Sequence, residues 1–405
     1  MLACCLAGER WPDELLDELM APESSDALFR IVVERLADLF EAHLCDVYAQ
    51  LFSQVIERAI PELKARELLD RYQRIRQPRK FEGAASSKIP AQVRTICVLS
   101  RVTLGADVAV TSVLLDAVKR RFPNARVVLV GSVKAWELFA GDPRVEHAPV
   151  TYRRAGSVPE RLEPWSDLKR LLSQPGSIVI DPDSRLTQLG LLPVCSEDAY
   201  FFFESRAYGG SSDAPLPALA ERWMRETFGV ETAQPYVAPA EATAKLIDVP
   251  GRPFVTMSFG VGENPAKRIR DPFEEQIVMH IARRGGYVLI DQGAGGEEAE
   301  RVERAIVKSG AAPGRVRSFR GSFAAFAGAI ARSDFYVGYD SAGQHVAAAG
   351  GVPLVSIFAG APSPRFFTRW RPSGKGKIEV VRMERPDPAQ VLEEAVKRLA
   401  RLGLG

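Results

Sequence analysis

From Trp11 to Arg76 the apolar residues Phe29, Val32, Leu36, Phe40, Leu44, Val47, Leu51 and Val55 recur at steps of three and four. That is the period of helices with one buried face. Pro12, Pro22 and Pro61 punctuate the stretch, which predicts two to four helices, closed by the linker "RQPRKFEGAASSKIPAQ" from Arg76 to Gln92. Packing of the stripe against the rest of the protein is the plain expectation; docking to a membrane surface or a partner is the alternative. At Val93 the period changes. "VRTICVLS" and "ARVVLVG" are compact apolar strands around a helix, "VAVTSVLLDAVKRRF", and further strands follow at "SIVIDPD" and "AYFFFES".

The Pro- and Ala-rich segment Glu231–Pro253 interrupts the alternation, which then restarts with the strand "FVTMSFG". A helix "DPFEEQIVMHIARRGG" follows, with Asp271 expected at its N-cap and Pro272 at its first position. Next come the strand "YVLIDQG", the helices "EEAERVERAIVKSG" and "FAAFAGAIARS", the strand "DFYVGYD", a short helix "AGQHVAAAGG" and the strand "VPLVSIFAG". Residues 1–92 are read as a helical extension with its linker and 93–240 as a Rossmann-like α/β domain. Residues 241–251 are a linker, 252–385 a second doubly wound domain, and 386–405 a closing helix. Two such domains are expected to direct their C-terminal strand ends to a common cleft, where ligands of open parallel sheets bind.

A chain of 405 residues exceeds the roughly 250–300 that one core serves, in keeping with more than one domain. Its hydrophobic share of 46%, charged share of 26% and net charge of +2 fit a globular protein with no call for nucleic acid. Cys4, Cys5, Cys45, Cys97 and Cys195 show no paired spacing for zinc or a redox dithiol, so a reducing cytoplasm is expected. The start "MLACCLAGERWPDE" lacks a basic region before its apolar patch and is not read as a signal peptide. The uncharged run Ser341–Pro364 is broken by Gly350, Gly351, Pro353, Pro362 and Pro364, so it is not read as a membrane span.

Candidate chemistry collects in strand-end loops. After "DFYVGYD", Asp340, Ser341, Ala342 and Gly343 lead into a helix whose first N–H groups can bind phosphate, unless Asp340 or Ser341 simply caps them. The loop "SFGVGENPAKR" offers Ser258, close backbone approach at Gly260 and Gly262, and the charges of Lys267 and Arg268. "DQGAGGEEAE" offers Glu297 and Glu298, either complementing a helix dipole or accepting from ribose hydroxyls. In the first domain Asp107 of "LGAD" is an N-cap or a base for a hydroxyl nucleophile. The dinucleotide fingerprint and the P-loop are both absent. "DPD" at Asp181–Asp183 is read as a turn before it is read as a metal site, and His43, His147 and His280 are read as structural. His345 either faces the ligand or packs.

Together these motifs resemble glycosyltransferase family 9, the heptosyltransferase-like enzymes of GT-B fold. "DSAGQHVAAAGGVPLVSIFAG" places Asp340, Ser341, His345, Ala347 to Ala349, Gly351 and Pro353 in register with that family's C-terminal signature, with Ala342-Gly343 in place of Gly-Pro. "VLSRVTLGADVAVTSVLLDAVKRRFPNARVVLVG" resembles the N-terminal signature, with Ala106 inserted between Gly105 and Asp107. The resemblance implies two Rossmann-like domains plus an N-terminal all-helical appendage, and an inverting transfer of sugar from a nucleoside-diphosphate sugar to an acceptor hydroxyl. It implies Asp107 as the base. Its donor side is Ser258, Gly260, Gly262, Lys267, Glu297 (less surely Glu298), Asp340, Ser341, Ala342, Gly343, Gln344 and His345.

On the acceptor side it places Arg101, Thr103, Asp181 and Arg185, with "IVIDPDSRLTQLGLL" resembling the family's strand with Asp, a short loop and a helix lining that side. No metal or other cofactor is required; the nucleotide sugar is the donor substrate, and the acceptor is a glycan, glycolipid or protein. The expected setting is the bacterial cytoplasm, with peripheral contact at the inner face of the membrane left open, in cell-surface glycan or glycoconjugate synthesis. The altered "LGAD" loop and the extra helices keep a second reading in view, a non-catalytic sugar-nucleotide-binding scaffold, and the two-domain shape a third, a sugar-nucleotide epimerase.

Overall fold

The computed structural model describes residues 1–24, 26–82, 93–262 and 264–404. Residues 83–92 of the linker read at 76–92 lie outside the described residues. The first sheet holds β1 (Thr95–Leu99), β2 (Arg126–Gly131), β3 (Val145–Pro149), β4 (Ser177–Asp181) and β5 (Tyr200–Phe202). All are parallel, in the order β3-β2-β1-β4-β5. Its central strands read as unbroken apolar runs because both faces are covered.

What covers one face is the N-terminal helices. Helix Ala42–Ala59 and helix Ala65–Ile75 bring Tyr48, Phe52, Val55 and Tyr72 into one continuous core with Cys97 and Leu99 of β1, Val128 of β2, Val179 of β4 and Phe202 of β5. Tyr48 stacks on Phe52, and Tyr72 lies against Phe202 at 6.0 Å. The apolar stripe therefore packs on the protein itself. It is continuous in sequence but not in one helix: Phe40, buried, takes a left-handed φ of 55° between helix Glu34–Asp38 and helix Ala42–Ala59.

The helix expected after β4 does not form. Asp181 accepts from the backbone N–H of Ser184 at 2.6 Å and from the hydroxyls of Thr187 and Tyr200, which pulls the chain into a 3-10 turn at Arg185–Thr187. Gln188, Leu189 and Gly190 then follow with φ of 50°, 59° and 89°. The helical extension takes the vacated place. Tyr48 donates to the Gln188 carbonyl at 3.3 Å, and Arg71 donates to the Gly190 carbonyl at 2.6 Å.

The second sheet holds β6 (Phe254–Ser258), β7 (Tyr287–Asp291), β8 (Val316–Phe319), β9 (Phe335–Tyr339), β10 (Leu354–Phe358) and β11 (Ile378–Arg382). It too is wholly parallel, in the order β11-β10-β9-β6-β7-β8. The compact unit built on it takes in residue 234 onward and also residues 104–112 and 137–142. Within the segment expected to be a bare linker, a helical turn at Glu241–Ala244 packs so closely on helix Phe323–Ala331 that no side chain fits at Gly328. Helix Phe273–Arg283 begins after Pro272 with no side-chain cap, because the carboxylate expected to cap it, Asp271, is taken by Arg268. β3, β8 and β11 go beyond the alternation read from the sequence, and each is a sheet edge.

Candidate functional site

β9 ends at Tyr339, and helix Ala342–Gly350 starts two residues on. Its N-cap, Ser341, makes no capping hydrogen bond from its side chain. Asp340 does not cap it either, since its carboxylate is spent elsewhere: Gln344 donates to Oδ1 at 2.6 Å, and the Lys267 ammonium stands 2.7 Å from Oδ2. Gln344 is in turn held by the Ser356 hydroxyl, and both are fully buried. The first-turn N–H groups of this helix are thus left without a side-chain cap, at the positive end of its dipole.

Lys267 reaches this point from the loop after β6. Asn264 caps the 3-10 turn Pro265–Lys267 by accepting from the Ala266 N–H at 3.0 Å, and the Lys267 ammonium lies over the Phe366 ring at 5.3 Å. Arg268 is paired with Asp271 and Glu274, so it braces the loop. Glu274 is the centre of that brace, also accepting from Arg301 at 2.7 Å and Tyr339 at 3.0 Å.

Three side-chain oxygens at the ends of β6, β7 and β9 are buried with no hydrogen-bond partner: Ser341 Oγ, Glu298 Oε1 and the Tyr336 hydroxyl. Buried polar atoms are nearly always paired, so a cluster of exceptions marks a place where partners arrive from outside. Glu298 lies over Gly260, where a Cβ would stand 2.7 Å from its Oε1. Burial raises its pKa, and Asp291 next to it is pushed up to about 6 by burial. Glu297 is exposed and turned to solvent, and Gly262, with φ 57°, is exposed with open space around it. Of the two, it is Glu298 and not the Glu297 favoured from sequence that lies against Gly260. Sequence reading passed over Tyr336, whose signal was only a polar tip inside an apolar strand.

His345 is buried, edge-on to Trp370 at 6.0 Å, and burial pushes its imidazole down to about 4, so it is neutral. Against it and against Ala342 lies Gly105: a Cβ there would stand 3.3 Å from the Cα of Ala342. Asp107 follows. The inserted Ala106 is taken up inside the helix, where Asp107–Thr111 forms a π turn before helix Ser112–Arg121. Asp107 is fully buried, and the Thr111 hydroxyl donates to its Oδ1 at 2.8 Å.

The acceptor-side candidates lie in the other unit. Asp181 is fully buried with both oxygens engaged as described above, and burial pushes it up to about 6. Asp183 is paired with Arg206 through Nε at 2.8 Å and Nη2 at 3.0 Å, both side chains buried. The two carboxylates of "DPD" are therefore structural. Arg101 donates to Ser205 Oγ, Thr103 is exposed, and Arg185 has a buried Nη1 without a partner. Among the described residues no group of three or more His, Cys, Asp or Glu is placed to hold a metal.

The family model for glycosyltransferase family 9 (heptosyltransferase) matches residues 264–398, which carry Lys267, Glu298, Tyr336 and the Asp340–His345 loop. Comparison with curated proteins gives no match. Among solved structures, a glycosyl transferase family 9 protein from Veillonella parvula is 16% identical over 76% of this chain and 98% of its own, with a TM-score of 0.58. The E. coli heptosyltransferase WaaC with ADP is 16% identical over 76% and 99%, at 0.57, and E. coli ADP-heptose lps heptosyltransferase II is 18% identical over 76% and 99%, at 0.52. At these identities the structures establish the GT-B fold of two parallel-sheet α/β units, and the family match supplies the rest. Residues 264–398 thus match a glycosyltransferase family 9 domain, which together with the shared fold supports glycosyltransferase as the enzyme class.

Proposed function

We propose that the chain transfers a sugar, with inversion, from a nucleoside-diphosphate sugar to an acceptor hydroxyl. The observation that carries this reading is the uncapped start of helix Ala342–Gly350, flanked by Lys267 and by the buried Ser341 and Tyr336 hydroxyls that lack a well-formed partner. The diphosphate lies at the helix start, where the N–H groups of residues 342–344 and the Lys267 ammonium offset the charge that grows as the leaving group departs. Ser258 and Ser341 donate hydroxyl hydrogen bonds to phosphate oxygens. Glu298, rather than Glu297, accepts from the ribose. Asp107, on the same compact unit, takes the proton of the acceptor hydroxyl as its oxygen attacks the anomeric carbon and the carbon–phosphate-oxygen bond breaks.

ADP and ADP-heptose are named for the solved E. coli relatives, so ADP-heptose is the first donor to test, with an acceptor from a bacterial cell-surface glycan at the inner face of the membrane. No helix among the described residues is long and apolar enough to span that membrane.

The scaffold reading stays in play on one observation: Asp107 is fully buried and already bonded to Thr111. One pair of measurements separates the two. Thermal shift against ADP, UDP and GDP reports the donor site, and release of nucleoside diphosphate with acceptor reports transfer. The transferase reading expects Asp107→Asn to keep the thermal shift and lose transfer by about 10²–10⁴-fold. Binding without turnover by the wild type, on any donor that shifts it, would favour the scaffold.

A further inference from the structure

Tyr336 lies in the middle of β9, fully buried, with its hydroxyl under the first turn of helix Ala342–Gly350. A Cβ on Gly338 would stand 2.5 Å from that hydroxyl, and Gly343 leaves it no room for a side chain either. The glycine of the "SAG" turn is thus needed for close approach to Tyr336, quite apart from any ligand. Burial pushes the phenol well above its ordinary range, so it is an O–H donor at any working pH. The hydroxyls of Ser341 and Ser258 are close enough to act on it, but neither meets it at hydrogen-bond geometry, so the Tyr336 hydroxyl and Ser341 Oγ both lack a well-formed partner.

We propose that Tyr336 is a positioning residue of the donor site, donating its hydroxyl proton to the oxygen of Ser341 when a diphosphate arrives, so that the serine proton turns to a phosphate oxygen. This rests on reading the helix start as the phosphate site. The relay gives the two unpartnered hydroxyls a use that either alone lacks: Tyr336 is too deep to touch the ligand, and a serine hydroxyl rotates freely unless its acceptor side is held. A hydrogen bond that ends on a charged phosphate is of the stronger kind.

The test is ADP, UDP and GDP binding by calorimetry to wild type, Tyr336→Phe, Ser341→Ala and the double variant, with the melting temperature of each without nucleotide. The expected result is a dissociation constant about ten-fold weaker for Tyr336→Phe, a melting temperature no lower than that of wild type because an unpaired hydroxyl is removed, and a double variant no weaker than Ser341→Ala. Equal affinity of Tyr336→Phe and wild type would overturn the relay, as would a lower melting temperature with unchanged affinity, which would mean the hydroxyl is already paired in the free protein. If the wild type binds none of the three nucleotides, the phosphate site itself is wrong and the relay goes with it.

Discussion

Gly105 lies against the start of helix Ala342–Gly350, where a Cβ on it would stand 3.3 Å from the Cα of Ala342 and 3.6 Å from Cδ2 of His345. The loop that carries Asp107 is therefore packed directly on the proposed phosphate site. In the proposed reaction, the separation of base and leaving group is set by this backbone contact, without an intervening side chain.

A branched side chain at this contact has to push the two segments apart. Gly105→Val is expected to lower kcat by up to about 10²-fold, as for a displacement of about 1 Å near the reacting atoms, with a smaller change in donor KM. Steady-state kinetics with saturating acceptor would check this; an unchanged kcat would show that the contact does not set the geometry of transfer.

Lys267 and Asp340 form an ion pair at 2.7 Å with side chains largely shielded from water. Lys267→Met removes the charge proposed to face the diphosphate and leaves Asp340 with Gln344 as a partner. Nucleoside-diphosphate affinity is expected to fall at least about ten-fold, together with the melting temperature of the free protein. Affinity that survives the substitution would remove Lys267 from the site.

Asp183 and Arg206 are paired, with both side chains buried. Arg206→Met strands a buried carboxylate and is expected to cost about 3–5 kcal/mol, measured by urea unfolding. Arg206→Met with Asp183→Asn should recover much of that loss. No recovery would mean that the arginine acts through packing, against Tyr48, whose ring lies 4.9 Å below its guanidinium.

His345 gives a pH signature. Burial holds its imidazole at about 4, although Asp340 pulls the other way, whereas in the unfolded chain it takes a proton near 6.5. Its stabilising contribution is complete above pH 6.5 and is lost as pH falls toward 4, by up to about 1.4 kcal/mol per pH unit. Asp181 and Asp291, both raised to about 6, act with the opposite sign, since the folded state holds their protons more tightly between about pH 4 and 6. The stability of wild type minus that of His345→Gln is therefore expected to rise from pH 4 to 6.5 and stay level above. A difference that is flat throughout would place His345 in contact with water.

The central strands and the strand–turn–helix around Asp340 could be read along the chain because their causes are local. A strand covered on both faces must be mostly apolar, and β1, β2, β4, β6, β7, β9 and β10 are. The edge strands β3, β8 and β11 are covered less and break the apolar run, as Glu146 of β3 does by facing solvent to pair with Arg126. Similarly, the spacing of Lys267, Asp340, Ser341 and His345 survives folding intact, but the choice between Glu297 and Glu298 does not appear in sequence, since adjacent helical residues differ by about 100° in direction.

The sequence by itself determined two parallel-sheet units, a helical N-terminal segment and a small-residue helix start after Asp340, through periodicity, glycine placement and motif order. Tertiary structure decided the rest. Whether Asp340 caps its helix or pairs with Lys267, whether "DPD" is open or spent on Arg206, Thr187 and Tyr200, and whether the N-terminal helices stand apart or cover the first sheet all depend on partners distant in the chain. A carboxylate's role is fixed by which donors surround it after packing, and no local pattern records them.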